Sequence, residues 1–213
     1  FRVKMVSYKL YYFNARGRGE AIRQILALAK VPFEDKRLDA ETWGSFKEET
    51  PFGQLPVLDV DGIKIANTNA ILRYLGREFG FAGSNNLENA KIDSLGDLLI
   101  DAQLKEGIRE FGPICLGFFK ADKTEFFKLK TRPALTQVAS NYEKFLVENG
   151  GSCLAIGKVT WVDILAAEFF SRFIEYGEKD ALEAYPHIME LIERIHNLPE
   201  IKQHISKRQQ SNF

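Results

Sequence analysis

One segment in the N-terminal part, Gly53-Gln54-Leu55-Pro56, together with Asn67-Thr68 downstream, most constrains what this chain can fold into. A proline that enters a strand removes one ladder donor and can adopt the cis form, so Leu55 before it keeps its backbone N–H and C=O for a ligand. Asn67-Thr68 predicts the start of an amphipathic helix, whose unpaired N–H groups attract a carboxylate. One strand edge beside one anion site predicts a pocket for a short acidic peptide.

The residues around this segment alternate between strand and helix patterns. Strands are expected at 8–13, 33–38, 54–60 and 63–66, and helices at 18–29, 40–49 and 68–79. Asp61-Gly62 is a strong signal for a hairpin between the last two strands. One crossover and one hairpin predict an α/β unit with a mixed four-stranded sheet and helices packed on it.

Strand signals vanish after a Gly-, Ser- and Asn-rich linker at 80–86. Helical periodicity follows at 87–108, 124–149, 160–175 and 186–195. Thr160 and Asp163 form a capping box, and the helix that they begin is apolar nearly all round, which predicts the centre of a bundle. The chain is therefore divided into an α/β domain at 5–82 and an all-helical domain at 87–213.

Composition excludes several classes of protein. Basic and acidic residues balance at 29 each, so no nucleic-acid partner is expected. Cys115 and Cys153 form no C-x-x-C motif, which argues against a disulfide scaffold, a zinc site and a redox centre. His187, His196 and His204 are expected on helix surfaces, and no metal site is predicted.

Neither a membrane span nor a secretion signal is expected from this sequence. No apolar run approaches the ~20 residues that span a bilayer, and residues 1–4 lack the apolar core of a signal peptide. We expect Met5 to be the natural start and the location to be cytoplasmic.

Several short motifs together resemble one family. They are Tyr8 to Asn14, Arg16-Gly17-Arg18, Trp43, Pro51 to Pro56, Asn69-Ala70-Ile71 with Arg73-Tyr74-Leu75, and the Thr160–Asp163 box. With a thioredoxin-like unit before a helical domain, the chain resembles the cytosolic glutathione transferases. It is most similar to the sigma class, which includes haematopoietic prostaglandin D synthase and many invertebrate enzymes. The resemblance implies a homodimeric detoxification enzyme that uses glutathione as co-substrate, needs no metal, and joins the glutathione thiolate to small apolar electrophiles.

The resemblance also assigns catalytic residues. Tyr11 and Tyr12 point to opposite faces of their strand, and spacing alone does not choose between them. The family pattern places the catalytic tyrosine directly before Phe13-Asn14, which selects Tyr12 to stabilise the thiolate. Arg18 is expected to support the thiolate electrostatically.

Two sets of binding residues follow from the same resemblance. The glutathione site comprises Tyr12, Trp43, Lys47, Gln54, Leu55, Pro56, Asn67, Thr68 and, reaching across to the neighbouring subunit, Asp101. Asn67-Thr68 stands where the family more often has Gln-Ser, and both residues keep an amide and a hydroxyl. The electrophile site comprises Phe13, Ala15, Gly17, Gln103, Leu104 and Ile108.

Ile108 stands where prostaglandin D synthase has an aromatic residue, which argues against selective prostaglandin isomerisation. Phe52 is expected either to insert into a partner subunit or to cover its own core. Alternative functions are a carrier of haem or another large apolar molecule, a glutathione-dependent prostaglandin isomerase or peroxidase, and a structural protein of lens type. The retained Tyr12 and Arg18 favour the enzyme.

Overall fold

The computed structural model describes residues 6–211 and 213, so the predicted start at Met5 lies outside the described residues. One four-stranded mixed sheet has the order β2-β1-β3-β4, in which β1 is parallel to β2 and the other neighbours are antiparallel. The strands are β1 (Tyr8–Phe13), β2 (Phe33–Leu38), β3 (Val57–Val60) and β4 (Ile63–Ala66). The predicted mixed sheet of a thioredoxin-like unit is confirmed. The division into domains at 82 and 87 stays a prediction.

Strand β1 shows the alternation of buried and more exposed side chains that is typical of a strand with one face on the core. Tyr8, Leu10 and Tyr12 are buried on one face of β1, and the residues between them are more exposed. Asp61 and Gly62 both have positive φ, which a two-residue hairpin turn requires.

The third strand begins later than the sequence predicts. Pro56 has no N–H to donate, and the ladder with β1 starts only at the pair Tyr11–Val57. The Leu55–Pro56 peptide bond before it is cis, as the sequence allows.

Three helices pack on the sheet or follow its strands: α1 (Glu20–Leu28), α2 (Ala40–Phe46) with a 3-10 turn at Lys47–Glu49, and α3 (Thr68–Glu78). Helix α1 begins two residues later than predicted, because Gly17 has φ +39° and the chain turns there. Asp39 caps α2 by accepting a hydrogen bond of 2.8 Å from the N–H of Thr42.

The rest of the described chain is helical. Its helices are α4 (Asn86–Leu104), α5 (Ile108–Cys115), α6 (Lys123–Phe126), α7 (Arg132–Glu148), α8 (Trp161–Arg172), α9 (Pro186–His196) and α10 (Pro199–Lys207), with π-helical turns at Phe127–Thr131 and Phe173–Gly177.

The first of these helices is shorter than the predicted 87–108. It ends at Leu104, and Gly107 with φ +87° separates it from α5. A Cβ at Gly107 would lie 2.5 Å from the carbonyl oxygen of Lys130, so the neighbouring segment fixes the break. Helices α5 and α10 were not predicted.

Helix α8 lies at the centre, as predicted, and all twelve of its residues are buried. Asp163 accepts hydrogen bonds of 2.8 Å from the backbone N–H groups of Thr160 and Leu154. Its burial raises the pKa of the carboxyl despite these donors. Trp161 wedges between α3 and α4, where a Cβ on Gly76 or Gly96 would approach its ring within 2.7 Å or 2.2 Å.

Buried ion pairs join the sheet unit to the helices. Glu168 on α8 accepts bonds of 2.9 and 3.0 Å from Arg16 and of 2.9 Å from Gln24. On α10, His204 lies 2.9 Å from the carboxylate of Glu20.

The expectation of surface histidines is therefore wrong for His204, whose side chain is 16% exposed. His196 also departs from it, because its Nε2 is enclosed. Burial lowers the pKa of His196, with the charges of Arg16 and Arg208 acting in the same direction and those of Glu168 and Glu175 opposing it. No helix in the described part of the chain combines the length and the apolar character needed to cross a bilayer.

Candidate active site

A cavity of about 530 Å³ opens where β1 ends, between the sheet unit and the helices. Its walls come from the β1–α1 loop, the start of α2, the end of α4, α5, the end of α8 and Phe213. The lining residues are Tyr12, Phe13, Asn14, Ala15, Gly17, Arg18, Leu38, Asp39, Ala40, Trp43, Gln103, Ile108, Arg109, Gly112, Pro113, Leu116, Phe118, Phe169, Arg172, Phe173 and Phe213. Most of them are apolar, so the cavity suits a small apolar molecule with a few polar groups at its mouth.

Tyr12 is a buried residue whose ring lies in this wall. Its phenolic oxygen accepts a hydrogen bond of 2.8 Å from the backbone N–H of Arg18. Two glycines enclose the ring: a Cβ on Gly17 would lie 2.5 Å from the hydroxyl, and a Cβ on Gly19 would lie 2.6 Å from Cδ1. With the N–H of Arg18 on its oxygen, the hydroxyl keeps its own proton to donate to another group.

Tyr11 occupies the opposite face. Its ring stacks on Phe46 at a centroid distance of 4.4 Å and an interplanar angle of 18°. It is not among the residues that line the cavity. Of the two adjacent tyrosines, the structure therefore brings only Tyr12 to the cavity.

Arg18 lies in the turn before α1 and is exposed, rather than in the first helical turn. Its Nε donates a hydrogen bond of 3.1 Å to Oε1 of Gln103 on α4. Both side chains line the cavity. This contact holds the Arg18 cation in the cavity wall.

The residues predicted for the glutathione backbone, Gln54 to Pro56, stand directly before β3 and are not among those that line the cavity. Pro56 is buried and Leu55 is half-buried, and no described residue hydrogen-bonds to the Leu55 backbone. Gln54 is exposed. The edge before β3 is therefore open to pair with an extended peptide.

The start of α3 is an open helix N-terminus. Asn67 is the N-cap residue with φ +70°, and its side chain makes no capping hydrogen bond. Thr68 is only 4% exposed. The N–H groups of this first turn therefore have no side-chain cap within the described residues and can receive a carboxylate.

Trp43 and Lys47 lie one turn apart on α2 and its 3-10 extension. The Trp43 ring meets Phe13 edge-on at 5.9 Å and lines the cavity. Lys47 is exposed, and its Cε would lie 3.5 Å from a Cβ on Gly53. The ammonium group is thus beside the turn that leads to Leu55.

Asp101 is exposed on α4, and its carboxylate has no hydrogen bond or ion pair with any described residue. Phe52 is 66% exposed, so it does not cover the core of its own chain. Both side chains are free to meet another subunit.

Five of the six residues predicted for the electrophile site line the cavity: Phe13, Ala15, Gly17, Gln103 and Ile108. Leu104 does not, and it is 53% exposed. Successive residues of a helix point about 100° apart, so Gln103 faces the cavity while Leu104 turns to the surface.

Other lining residues were missed by the sequence analysis. Gly112, Pro113 and Leu116 belong to α5 or its end, which was not recognised, and Phe118 follows it. Phe169, Arg172 and Phe173 recur at i, i+3 and i+4 at the end of α8, a spacing that marks one helix face. That spacing was visible, but it does not tell a cavity wall from a packed core.

Two family models match this chain. Residues 8–77 match the family model for the glutathione S-transferase N-terminal domain, and residues 112–208 match the model for its C-terminal domain. The chain is 46% identical over 205 residues to the probable glutathione S-transferase gst-36 of Caenorhabditis elegans, covering 96% of this chain and 98% of the relative.

Two solved structures show the same fold. Monomeric Na-GST-3, a glutathione S-transferase of the hookworm Necator americanus, superposes with a TM-score of 0.90 at 36% identity, covering 97% of this chain and 100% of that one. The prostaglandin synthase D of Nilaparvata lugens superposes with a TM-score of 0.83 at 36% identity, covering 96% and 100%. Across residues 6–211 and 213, no group of three or more His, Cys, Asp or Glu side chains could hold a metal ion.

Proposed function

Because this chain belongs to the glutathione S-transferase family and is a glutathione transferase, we propose that Tyr12 is the residue that stabilises the glutathione thiolate. The observation that carries this assignment is the phenolic hydroxyl in the cavity wall. Its oxygen already accepts the N–H of Arg18, which leaves its proton for the sulfur. Tyr11, stacked on Phe46, offers no such donor to the cavity.

The chemistry needs only a modest free energy. A thiol like that of free cysteine has a pKa of about 8.5, so a small fraction is thiolate at neutral pH. Lowering the pKa by about two units corresponds to ~2.7 kcal/mol. A hydrogen bond donated to a charged sulfur, with a cation such as Arg18 nearby, is of that order. The thiolate then forms a bond to an electrophilic carbon.

The remaining glutathione contacts follow from the open backbone groups. Leu55 pairs with the cysteinyl unit through its free N–H and C=O. The start of α3, with Asn67 and Thr68, receives the γ-glutamyl carboxylate. Trp43 and Lys47 hold the glycyl end, with Lys47 meeting its carboxylate.

We also propose that the enzyme works as a homodimer. Asp101 has no partner within the described residues, and its carboxylate suits the amine of the glutathione bound to the neighbouring subunit. The exposed Phe52 ring suits insertion into that subunit. One relative of the same fold is described as monomeric, and sedimentation distinguishes that state from the proposed dimer.

The second substrate is a small apolar electrophile, in keeping with the aromatic walls of the cavity. The alternative occupant is a large planar apolar molecule such as haem, bound without reaction. The retained Tyr12 and Arg18 favour conjugation over carriage, and a cytoplasmic location is proposed with it. A glutathione-dependent isomerase is a further alternative, which the similarity to a prostaglandin synthase favours and which Ile108, in place of an aromatic residue, argues against.

The proposal is tested by a difference-absorbance titration of glutathione bound to the wild type and to Tyr12→Phe. We expect bound thiolate in the wild type with an apparent pKa well below that of free glutathione, and loss of this signal in the variant. Tyr11→Phe is the matched control and should retain the signal. Bound glutathione without thiolate in the wild type would contradict the role of Tyr12 and direct the next measurement to haem.

A further inference from the structure

One charged side chain in the cavity wall takes no part in the proposed catalysis. Arg172 lies in the last turn of α8 and is only 6% exposed. It lines the cavity together with its neighbours Phe169 and Phe173. Its Nε is fully enclosed and has no hydrogen-bond partner in the part of the chain that the structure describes.

The surroundings of this guanidinium supply rings rather than acceptors. Its central carbon lies 4.8 Å from the ring centroid of Phe213 and 5.8 Å from that of Phe169. Aromatic faces attract a cation, but they do not replace the oxygen acceptors that five guanidinium N–H bonds require. Nε is the one nitrogen of Arg172 that is both enclosed and unpaired. The two terminal amino groups make no hydrogen bond with a described residue, and the side chain lines the cavity.

The nearest carboxylate is already used. Oε1 of Glu168 lies 3.9 Å from Nε of Arg172, beyond hydrogen-bond distance. Both oxygens of Glu168 accept bonds from Arg16, and Oε2 also accepts one from Gln24. Arg16 has a further partner in Glu175, so Arg172 is left with one distant share of the Glu168 carboxylate and no hydrogen bond to an anion.

The other cavity arginines are different. Arg109 is paired with Glu110 at 2.6 Å, and Arg18 is bonded to Gln103 at 3.1 Å. Burial lowers the pKa of Arg172, with the charges of Arg16 and Arg18 acting in the same direction and Glu168 opposing them. An anion bound in the cavity would offset the unfavourable free energy of burying the Arg172 charge, since a buried charge is unfavourable until it is paired.

We propose that Arg172 binds the carboxylate of an apolar organic acid whose hydrocarbon body fills the cavity. The two terminal amino groups of Arg172, which no described residue bonds, match the two oxygens of a carboxylate. Ile108, Phe118 and Phe173 supply apolar surface for the rest of the molecule. This inference rests on the proposed function and sharpens it, since it names the second substrate as an electrophile that carries a carboxylate.

Glutathione does not account for this site. Its two carboxylates are assigned to the start of α3 and to Lys47, whereas Arg172 belongs to the helical wall. The test therefore fills the glutathione site first, with S-methylglutathione, which has no thiol. Calorimetry then compares 4-phenylbutanoate with the uncharged amide of the same shape, 4-phenylbutanamide, on the full chain.

We expect the wild type to bind the carboxylate about tenfold or more tightly than the amide, as a charge-assisted bidentate pair allows. Arg172→Met should bind the two alike, and Arg172→Lys should retain part of the preference. The matched control is Arg109→Met, which removes a paired arginine of the same cavity and should keep the full preference.

Equal affinities in the wild type would overturn the proposal, and that comparison needs no variant. A preference retained in Arg172→Met, or lost in Arg109→Met, would also overturn it. Failure of S-methylglutathione to bind, or a thiolate that persists in Tyr12→Phe, would instead count against the proposed glutathione site. The two proposals therefore fail separately.

Discussion

The backbone N–H of Arg18 donates a hydrogen bond of 2.8 Å to the phenolic oxygen of Tyr12. This contact fixes the direction of the hydroxyl proton, because the oxygen already accepts one donor. Tyr12→Phe removes the proton and leaves the ring. We expect kcat to fall about tenfold or more because less of the bound glutathione is thiolate, with glutathione affinity nearly unchanged because the contacts that hold the tripeptide remain.

Steady-state kinetics and direct glutathione binding check this expectation side by side. Tyr11→Phe keeps the stacking on Phe46 and should retain nearly full kcat. The assignment would be reversed if Tyr11→Phe were the slow variant and Tyr12→Phe were normal.

Truncation to alanine should affect stability and electrophile binding strongly at Ile108 and very little at Leu104. Ile108 is 5% exposed and lines the cavity, so Ile108→Ala should cost about 2–4 kcal/mol of unfolding free energy and alter KM for apolar electrophiles. Leu104 is 53% exposed, and Leu104→Ala should change stability by less than about 0.5 kcal/mol and leave KM alone. Urea unfolding and electrophile kinetics on both variants decide the matter, and a large effect of Leu104→Ala would contradict the orientation of α4.

Asp101→Ala should weaken glutathione binding about two- to fivefold, the range of an exposed ion pair. The loss should appear only at protein concentrations at which dimers form, because the carboxylate is assigned to the neighbouring subunit's glutathione. Glu106→Ala is the control, since this exposed acid pairs with Lys130 of its own chain at 3.3 Å. Unchanged affinity in Asp101→Ala would remove Asp101 from the site.

Phe52→Ser should raise the dissociation constant of the dimer about tenfold or more, because a buried aromatic anchor dominates an interface. Ile63→Ser is matched in exposure, 71% against 66%, and lies at the hairpin. Sedimentation over a range of protein concentrations measures both. A wild type that stays monomeric throughout would refute the homodimer and the role of Asp101 with it.

Glu20 should make the fold resistant to mild acid. Burial would raise the pKa of this carboxyl, but the hydrogen bond from His204 and the charges of Arg23 and Arg208 outweigh it and hold the pKa well below its usual range. A carboxyl with a depressed folded pKa contributes stability that is fully present above its unfolded pKa of about 4.3. That contribution is lost only as the pH falls through the folded value.

Glu20→Gln should therefore cost about 2 kcal/mol or more at pH 7, since it leaves buried cations uncompensated. The difference from the wild type should persist at about pH 5 and shrink below about pH 4, measured by urea unfolding. Glu200→Gln removes a surface carboxylate that pairs with Lys30, and it should change little at any pH. A difference that vanished already near pH 6 would contradict the depressed pKa.

The sequence predicted the elements that short-range patterns determine. The strand β1, the Asp61-Gly62 hairpin and the central helix all follow from alternation, turn chemistry and helical period. The break between α4 and α5 did not, because Ile108 continues the apolar rhythm of α4. The chain departs from that rhythm at Gly107, where Lys130 leaves no room for a Cβ.

The buried pairs that escaped prediction join residues far apart in the sequence. Glu20 meets His204 across 184 positions, and Arg16 meets Glu168 across 152. Arg172 lies in a segment that was predicted only as a buried helix. The helical period of apolar residues shows which face is buried, but it does not show whether a cavity lies beside that face. A side chain's environment at such places is set by tertiary packing.

The two glycines beside the Tyr12 ring determine more than its position. A methyl group at Gly17 or at Gly19 would collide with the phenol, so the ring keeps its place only while both positions lack a side chain. A related protein that retains the tyrosine could therefore lose activity through a single Gly→Ala change at either of these two positions. When related chains are sorted into enzymes and carriers, these two neighbours must be inspected along with the tyrosine itself.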